Sequence, residues 1–356
     1  MKRLIICCDG TWNRADQESG EVPCPTNVIR LALTGAKQDG ATTQVSFYVQ
    51  GVGTGNVLDR WTGGAFGEGL NENIYSAYRF LIGNYEAGDK LYLFGFSRGA
   101  FTARSLAGMI RKCGILKRTA AHLYLDAVKL YRGPVHPDDP APTAFRAQYA
   151  VVDPTPVEFI GVWDTVGALG IPLRGLRWIN RRKYQFHDVE LSGSVHHACQ
   201  ALAIDDRRAP FSPAVWAYVP KEGQTVEQVW FPGVHSDVGG GYGDHRLSDL
   251  PLRWMLEQAR AAGLALDPAV PIPDPVEALE TLVPLHNSFT LLYRLTRPIV
   301  RNVGQARSKD GSILPALDPT QSVHASALAR WDQDASYRPE GLRAYFRLTG
   351  DARANA

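Results

Sequence analysis

A serine flanked by two glycines stands where a buried strand is predicted to turn into a helix. Residues 91–94 form a short apolar run, which is typical of a parallel strand covered on both faces. After the sequence Gly95-x-Ser97-x-Gly99 the apolar residues recur at helical spacing. In such a turn the glycines prevent collisions, and the serine hydroxyl stands clear of the sheet. The predicted chemistry is nucleophilic attack by Ser97 on an ester carbonyl.

Asp164 and His235 could complete a catalytic triad with Ser97. Each follows a predicted core strand, at residues 157–163 and 226–231. The carboxyl ends of parallel strands share one edge of a sheet, and the chain order Ser, Asp, His is that of α/β hydrolases. His235 would accept the proton of Ser97 while Asp164 orients the imidazole. Asp237 and His324 are the supporting candidates, with His324 as the reserve base.

Donors for the negative charge that develops on the substrate are predicted at two turns. Arg98 follows the nucleophile at the start of a helix, so its N–H can face the reacting carbonyl. Residues 4–8 form a first predicted strand, after which Gly10 or Thr11 could supply a second N–H. Asp9 either supports this oxyanion loop or only ties it by hydrogen bonds.

Other interpretations stay open at this stage. The serine could merely cap a helix, and an aspartate at a strand end could do the same. A second alternative is metal-assisted hydrolysis by His235, Asp237, Asp244 and His245, although their spacing matches no compact metal motif. A third is a hydrolase fold that binds a partner without turnover. The leading interpretation needs neither a metal nor a cofactor.

The rest of the pattern alternates strands with helices. Helices are predicted at residues 27–33, 73–85, 120–131, 195–204 and 248–262, and a further strand at 45–49. This order predicts an α/β-hydrolase fold, with a mostly parallel sheet, helices on both faces and inserted loops. We expect a single domain over residues 1–356. Residues 171–190 would be a lid or insertion, and residues 264–356 an irregular C-terminal extension packed on the core.

Composition restricts the partners and the compartment. The 356 residues are 45% hydrophobic and carry a net charge of +2, as in a globular protein with a large core. No dense run of basic residues is present, so nucleic acid is not an expected partner. The five cysteines have no metal or redox spacing, which favours a reducing compartment.

Neither a signal peptide nor a run of membrane-spanning length is found, so we expect synthesis into the cytoplasm. Basic and aromatic residues at 171–190 could contact anionic lipid peripherally or form a solvated face. The sequence leaves the oligomeric state open.

Six motifs in a fixed order resemble those of one family. They are DGTWN at 9–13, GVGTG at 51–55, GFSRGA at 95–100, GVWDTVG at 161–167, AIDDRR at 203–208 and WFPGVHSDVGGG at 230–241. The set is similar to an uncharacterised α/β-hydrolase domain family that contains the catalytic domain of type VI secretion phospholipase effectors of the first lipase class. The resemblance implies a serine esterase acting on phospholipid acyl bonds, with Ser97 as nucleophile, Asp164 as acid and His235 as base. It also allows export as an effector.

Overall fold

A mostly parallel sheet of eight strands runs through the protein. The structure is a computed structural model that describes residues 1–11, 13, 16–19, 22–51, 63–166, 191–217, 221–274, 282–289, 297–308 and 312–355, with only the backbone course of residues 63–68. The predicted lid or insertion at residues 171–190 lies outside the described residues. The assignment of the whole chain to one domain stays a prediction.

Twelve strands are described, eight of them in the main sheet. In chain order the strands are β1 (Lys2–Cys8), β2 (Glu18–Ser19), β3 (Val22–Pro23), β4 (Gln38–Asp39), β5 (Thr42–Val49), β6 (Lys90–Phe96), β7 (Val157–Trp163), β8 (Val195–Ala203), β9 (Thr225–Phe231), β10 (Gln305–Arg307), β11 (Ile313–Leu317) and β12 (Gln321–Val323). The sheet order is β12-β9-β8-β7-β6-β1-β5-β4, and only the β4–β5 pair is antiparallel. The loops after β1, β6, β7 and β9 therefore leave the sheet on the same side.

Helices cover both faces of this sheet. They are α1 (Asn27–Thr34), α2 (Gly63–Asn84), α3 (Arg98–Cys113), α4 (Tyr124–Arg132), α5 (Pro140–Tyr149), α6 (His235–Gly239), α7 (Arg246–Ala261), α8 (Ala325–Gln333) and α9 (Glu340–Thr349), with 3-10 turns at Arg118–Leu123, Ala209–Phe211 and Ala352–Asn355. Leu4 and Ile6 of β1 pack in the core cluster that contains residues of α2, α3 and α4. Ile5 and Cys7 face the opposite side and pack with α1 and α7. This alternation explains why β1 is apolar throughout. The structure confirms the predicted α/β class.

Residues 195–204, predicted as a helix, instead form the strand β8, so that prediction was wrong. The strand pairs in parallel with β7 on one side and β9 on the other. Its alanines, glutamine and leucine are good helix formers. All residues from Ala198 onward are buried, and a strand covered on both faces loses the alternation that identifies strands from sequence.

The C-terminal extension is more regular than predicted. β12 adds a further parallel strand beside β9, and β10 and β11 form a separate antiparallel pair. α8 and α9 pack around a small core that includes Trp331 and Phe346, whose ring centroids are 4.9 Å apart. Prolines interrupt the strand and helix patterns in this part of the sequence, so these elements were not predicted. α2 likewise begins at Gly63 rather than at residue 73. Its first turns are rich in glycine, a poor helix former, so the sequence did not predict them as helical.

All five cysteines are free and buried. Among the described helices, none combines the length and hydropathy that crossing a membrane requires.

Candidate active site

Ser97 stands on a strained turn between β6 and α3. Its backbone has φ +59° and ψ −119°, in a region that residues other than glycine rarely occupy. A Cβ on Gly99 would lie 2.1 Å from the carbonyl oxygen of Cys8, and one on Gly95 would lie 2.4 Å from that of Gly99. The turn therefore needs both glycines, as predicted from their spacing.

Ser97, His235 and Asp164 form a continuous hydrogen-bonded chain. The Oγ of Ser97 lies 2.8 Å from Nε2 of His235, and Nδ1 of His235 lies 2.5 Å from Oδ2 of Asp164. The serine ends β6, the aspartate follows β7, and the histidine opens α6 after β9. Three loops that are distant in sequence thus bring together the residues that the sequence singled out.

Burial and charge act in opposite directions on the two titratable groups. Burial by itself would raise the pKa of Asp164, but the charge of Arg301 and the hydrogen bond from His235 hold that pKa below its usual range. Burial lowers the pKa of His235 although Asp164 favours the cation. A neutral imidazole beside an ionised carboxylate is the state that a general base requires.

The loop after β1 lies directly against the serine. A Cβ on Gly10 would be 3.3 Å from Cβ of Ser97. The N–H of Gly10, however, donates to Oδ1 of Asp9 at 2.7 Å, so this predicted oxyanion donor has another acceptor. Within the described part of the chain, the buried hydroxyl of Thr11 has no hydrogen-bond partner. Thr11 is therefore the better donor candidate on this loop.

Asp9 ties this loop to two other elements. Its Oδ2 accepts hydrogen bonds from the hydroxyls of Thr26 at 2.7 Å and Tyr48 at 2.6 Å. Burial raises the pKa of Asp9, while the bonds from Tyr48, Thr26 and Gly10 act in the opposite direction. Asp9 thus ties the loop by hydrogen bonds, and its support of an oxyanion donor stays a prediction.

The loop after β8 surrounds His235 with charged and aromatic groups. Oδ2 of Asp206 accepts the main-chain N–H of His235 at 3.2 Å and also bonds Arg208. Burial would raise the pKa of Asp206, but Arg208 and Arg301 hold it well below its usual range. The rings of Phe96 and Phe211 lie 4.6 and 4.9 Å from the imidazole, centroid to centroid. These contacts limit the rotamers that the imidazole can adopt.

The other predicted candidates lie apart from the serine hydroxyl. Oδ2 of Asp237 accepts the N–H of Val234 at 2.9 Å, and its Oδ1 lies 2.5 Å from Nδ1 of His286. His324 caps α8 through Ser326, and burial lowers its pKa to about 4. His324 is not the histidine that the structure places against Ser97.

The four residues of the metal alternative do not converge. His235 bonds Ser97 and Asp164, Asp237 bonds His286, Asp244 pairs with Arg246, and His245 pairs with Asp249. No group of three or more metal-ligating side chains occurs among the residues that the structure describes.

Three residues of the C-terminal extension reach this site and were missed from the sequence. Arg301 pairs with both carboxylate oxygens of Asp164, His286 bonds Asp237, and Ser288 donates to Asp206 at 3.1 Å. Arginine is the usual partner of a fully buried carboxylate. However, no local motif marks Arg301, and only the fold brings it to Asp164.

The sheet order, the Gly-x-Ser-x-Gly turn and the order of the three side chains define an α/β hydrolase. The family described as the catalytic domain of Tle1-like phospholipase effectors of the type VI secretion system matches residues 2–258. The chain belongs to this family. The resemblance inferred from the six motifs is thereby confirmed.

The matches to individual relatives cover only part of the length of each relative. The uncharacterized protein YEL023C of Saccharomyces cerevisiae is 28% identical over 245 residues, which are 62% of this chain and 34% of that protein. The solved Tle1 effector bound to the VgrG spike of the type VI secretion system is 21% identical, with 68% and 51% of the two chains covered and a TM-score of 0.41. An uncharacterized protein from Pseudomonas aeruginosa is 20% identical, with 77% and 48% covered and a TM-score of 0.43. The chain thus spans about a third of the yeast protein and about half of each solved chain.

Proposed function

We propose that this protein is a phospholipase-like serine hydrolase that cleaves a carboxylic ester through an acyl-enzyme. One observation carries the proposal: the bonds of 2.8 Å from Ser97 to His235 and 2.5 Å from His235 to Asp164. This is the spacing at which a base can take the proton of a serine hydroxyl as it attacks.

The proposed steps need no group from outside the chain except water. Ser97 Oγ attacks the ester carbonyl while its proton moves to Nε2 of His235. The imidazolium then protonates the leaving alcohol as the acyl-enzyme forms. Water, deprotonated by His235, attacks the acyl carbon and releases the carboxylic acid. Asp164 holds the tautomer in which Nδ1 carries the proton and stabilises the transient cation.

The carbonyl oxygen becomes an anion in both steps and needs donors. Arg98 begins α3 directly after the serine, and its main-chain N–H is the first donor that we propose. Thr11 is the second, because the N–H of Gly10 is bonded to Asp9 while the loop itself lies against Ser97. The ties from Thr26 and Tyr48 to Asp9 would hold this loop in place.

The family supports a phospholipid as the substrate, because its description is that of phospholipase effectors. The same description supports export of the protein by a type VI secretion system, which the sequence had allowed. Peripheral membrane contact remains a prediction, since residues 171–190 lie outside the described residues.

The test compares wild type with Ser97→Ala on phospholipids, short-chain esters and acylated sugars. We expect the rate to fall by about 10³-fold or more, with the fold retained. Ser105→Ala is the matched control, because Ser105 is also a buried serine and lies in α3, the helix that Ser97 precedes. It should keep its activity within about threefold, as a substitution remote from the reacting atoms.

A fluorophosphonate probe separates the proposal from its alternatives. Wild type and Ser105→Ala should be labelled covalently, and Ser97→Ala should not. A wild-type protein that takes no label and cleaves none of the esters would be a binding module instead. Activity that survives Ser97→Ala but disappears with a chelator would indicate the metal-assisted mechanism.

A further inference from the structure

Arg301 meets the aspartate of the triad with its whole guanidinium group. Its two terminal nitrogens lie 2.5 and 3.0 Å from the two carboxylate oxygens of Asp164, and both side chains are fully buried. The remaining N–H groups donate to the main-chain carbonyls of Ala203, Asp206 and Phe211 at 2.8 to 3.1 Å. An arginine has five N–H donors, and each has an acceptor here. The site is therefore built for arginine.

These contacts restrict how Asp164 can lie. Oδ1 also accepts the N–H of Ala203 at 3.1 Å, and Oδ2 bonds Nδ1 of His235. A forked pairing sets the plane of a carboxylate in a way that a single contact cannot. With its plane held by Arg301, Asp164 presents Oδ2 to the imidazole in one orientation.

The charges around His235 balance only when Arg301 is counted. Asp164 and Asp206 are the anions that face the imidazole, and Arg208 and Arg301 are the cations paired with them. The other titratable groups nearby have separate partners: Asp205 accepts hydrogen bonds from Gly233 and Tyr337, and Asp237 bonds Val234 and His286. Burial raises the pKa of Asp205 to about 7 and also raises that of Asp237. Among the described residues, Ser97, Phe96 and Phe211 contact the imidazole without adding charge, and Ser288 donates to Asp206.

We propose that Arg301 is a positioning residue of the active site, which orients Asp164 and, by sharing its charge, keeps His235 neutral and ready to accept a proton. The inference rests on the proposed serine hydrolase function. Without Arg301, one uncompensated negative charge would remain beside the imidazole and would favour its cationic form. The cation cannot take the proton of Ser97, so reactivity would be lost at a higher pH than in wild type.

Arg301 lies beyond residue 258, where the match to the family ends. The part of the chain that the family model matches therefore holds the serine, the aspartate and the histidine but not Arg301, the counter-ion of the aspartate. The proposal assigns that role to the C-terminal extension.

The experiment follows the rate of fluorophosphonate labelling of Ser97 against pH in the full chain. Arg301→Met and Arg301→Gln remove the charge, and Arg301→Lys keeps it. Arg338→Met is the matched control, because Arg338 also donates to three main-chain carbonyls in the extension but bonds none of the triad residues. The folded fraction of each variant is measured by tryptophan fluorescence, and rates are expressed per folded molecule.

We expect the midpoint of the acid limb to rise by about one pH unit in the two neutral variants, which is about a tenfold lower rate on that limb. Arg301→Lys should keep the midpoint but label more slowly at every pH, because an ammonium group cannot form the fork. Arg338→Met should match wild type.

The proposal would be overturned if the acid-limb midpoint did not shift in Arg301→Met and Arg301→Gln, or if it shifted by the same amount in Arg338→Met. If neither neutral variant folds, Arg301→Lys decides: wild-type labelling at every pH would refute the positioning role, and slower labelling would support it. Absence of labelling in wild type would instead refute the proposed function itself.

Discussion

Asp164 and Asp237 are two buried aspartates that each bond a histidine, but of these two pairs only Asp164–His235 also bonds a serine. In both pairs the carboxylate lies 2.5 Å from Nδ1 of the imidazole. The side chain of His235 is 5% exposed, whereas that of His286 is 34% exposed and stacks on Tyr242 at 3.9 Å. Within the described residues, the ring of His286 has no hydroxyl partner.

The two aspartates also differ in how their charge is compensated. Arg301 and His235 hold the pKa of Asp164 below its usual range, against the effect of burial. Burial raises the pKa of Asp237, whose partners are main-chain N–H groups and His286. Asp164 and His235 thus form a pair that bonds the proposed nucleophile Ser97. Asp237 and His286 instead tie the C-terminal extension to the loop that carries His235. The comparison teaches that the surroundings of the pair decide what it can do.

The largest expected effect separates the two pairs directly. Asp164→Asn should lower the turnover of a reactive ester by about 10⁴-fold, because the amide stabilises the wrong tautomer and cannot balance the imidazolium. Asp237→Asn should cost less than about tenfold, since its side-chain oxygen can still accept the N–H of Val234. Turnover per folded molecule measures both. Equal losses in the two variants would mean that the pairs do not differ in function.

A second prediction concerns the turn that gives only one pair its serine. Gly99→Ala should lower the free energy of unfolding by about 1–3 kcal/mol or more, because the added Cβ would meet main-chain oxygens of Cys8 and Asp9. Gly108→Ala, on the same helix, has open space at the Cβ and should raise it by about 0.5–1 kcal/mol. Urea unfolding gives both values. An unchanged free energy of unfolding in Gly99→Ala would show that the loop after β1 does not pack tightly against the turn.

The smallest expected effect is the dependence of activity on pH. Burial lowers the pKa of His235 from its ordinary 6.5, so its neutral form persists as the pH falls. The acid limb of kcat/KM should therefore have its midpoint below about 6.5, with more than half of the plateau rate at that pH.

The same lowered pKa has a consequence for stability. The unfolded chain takes up the proton of His235 first, so the folded state loses stability as the pH falls through 6.5. The folded fraction at each pH is the control for the rate measurement. If the acid limb of kcat/KM had its midpoint above about pH 7 while the protein was fully folded, the surroundings of His235 would not be lowering its pKa.

Much of the fold could be predicted because the strands of the centre are apolar and short. β1, β6, β7 and β9 were all expected, and the strained turn at Ser97 followed from two glycines. The residues of β8 predict a helix, because they favour helices when isolated, and only pairing with β7 and β9 makes them a strand. β12 was missed because a short edge strand leaves almost no periodic signal.

The sequence by itself determined which residues could do chemistry, because Gly-x-Ser-x-Gly, Asp164 and His235 each follow a recognisable strand and keep the order of α/β hydrolases. Only the tertiary structure decided that Asp9 ties a loop, that His324 caps a helix and that Arg301 faces Asp164. The reason is physical. A nucleophile turn is a local constraint on the backbone and leaves a local trace, whereas the compensation of a buried charge depends on whichever distant segment the fold brings beside it.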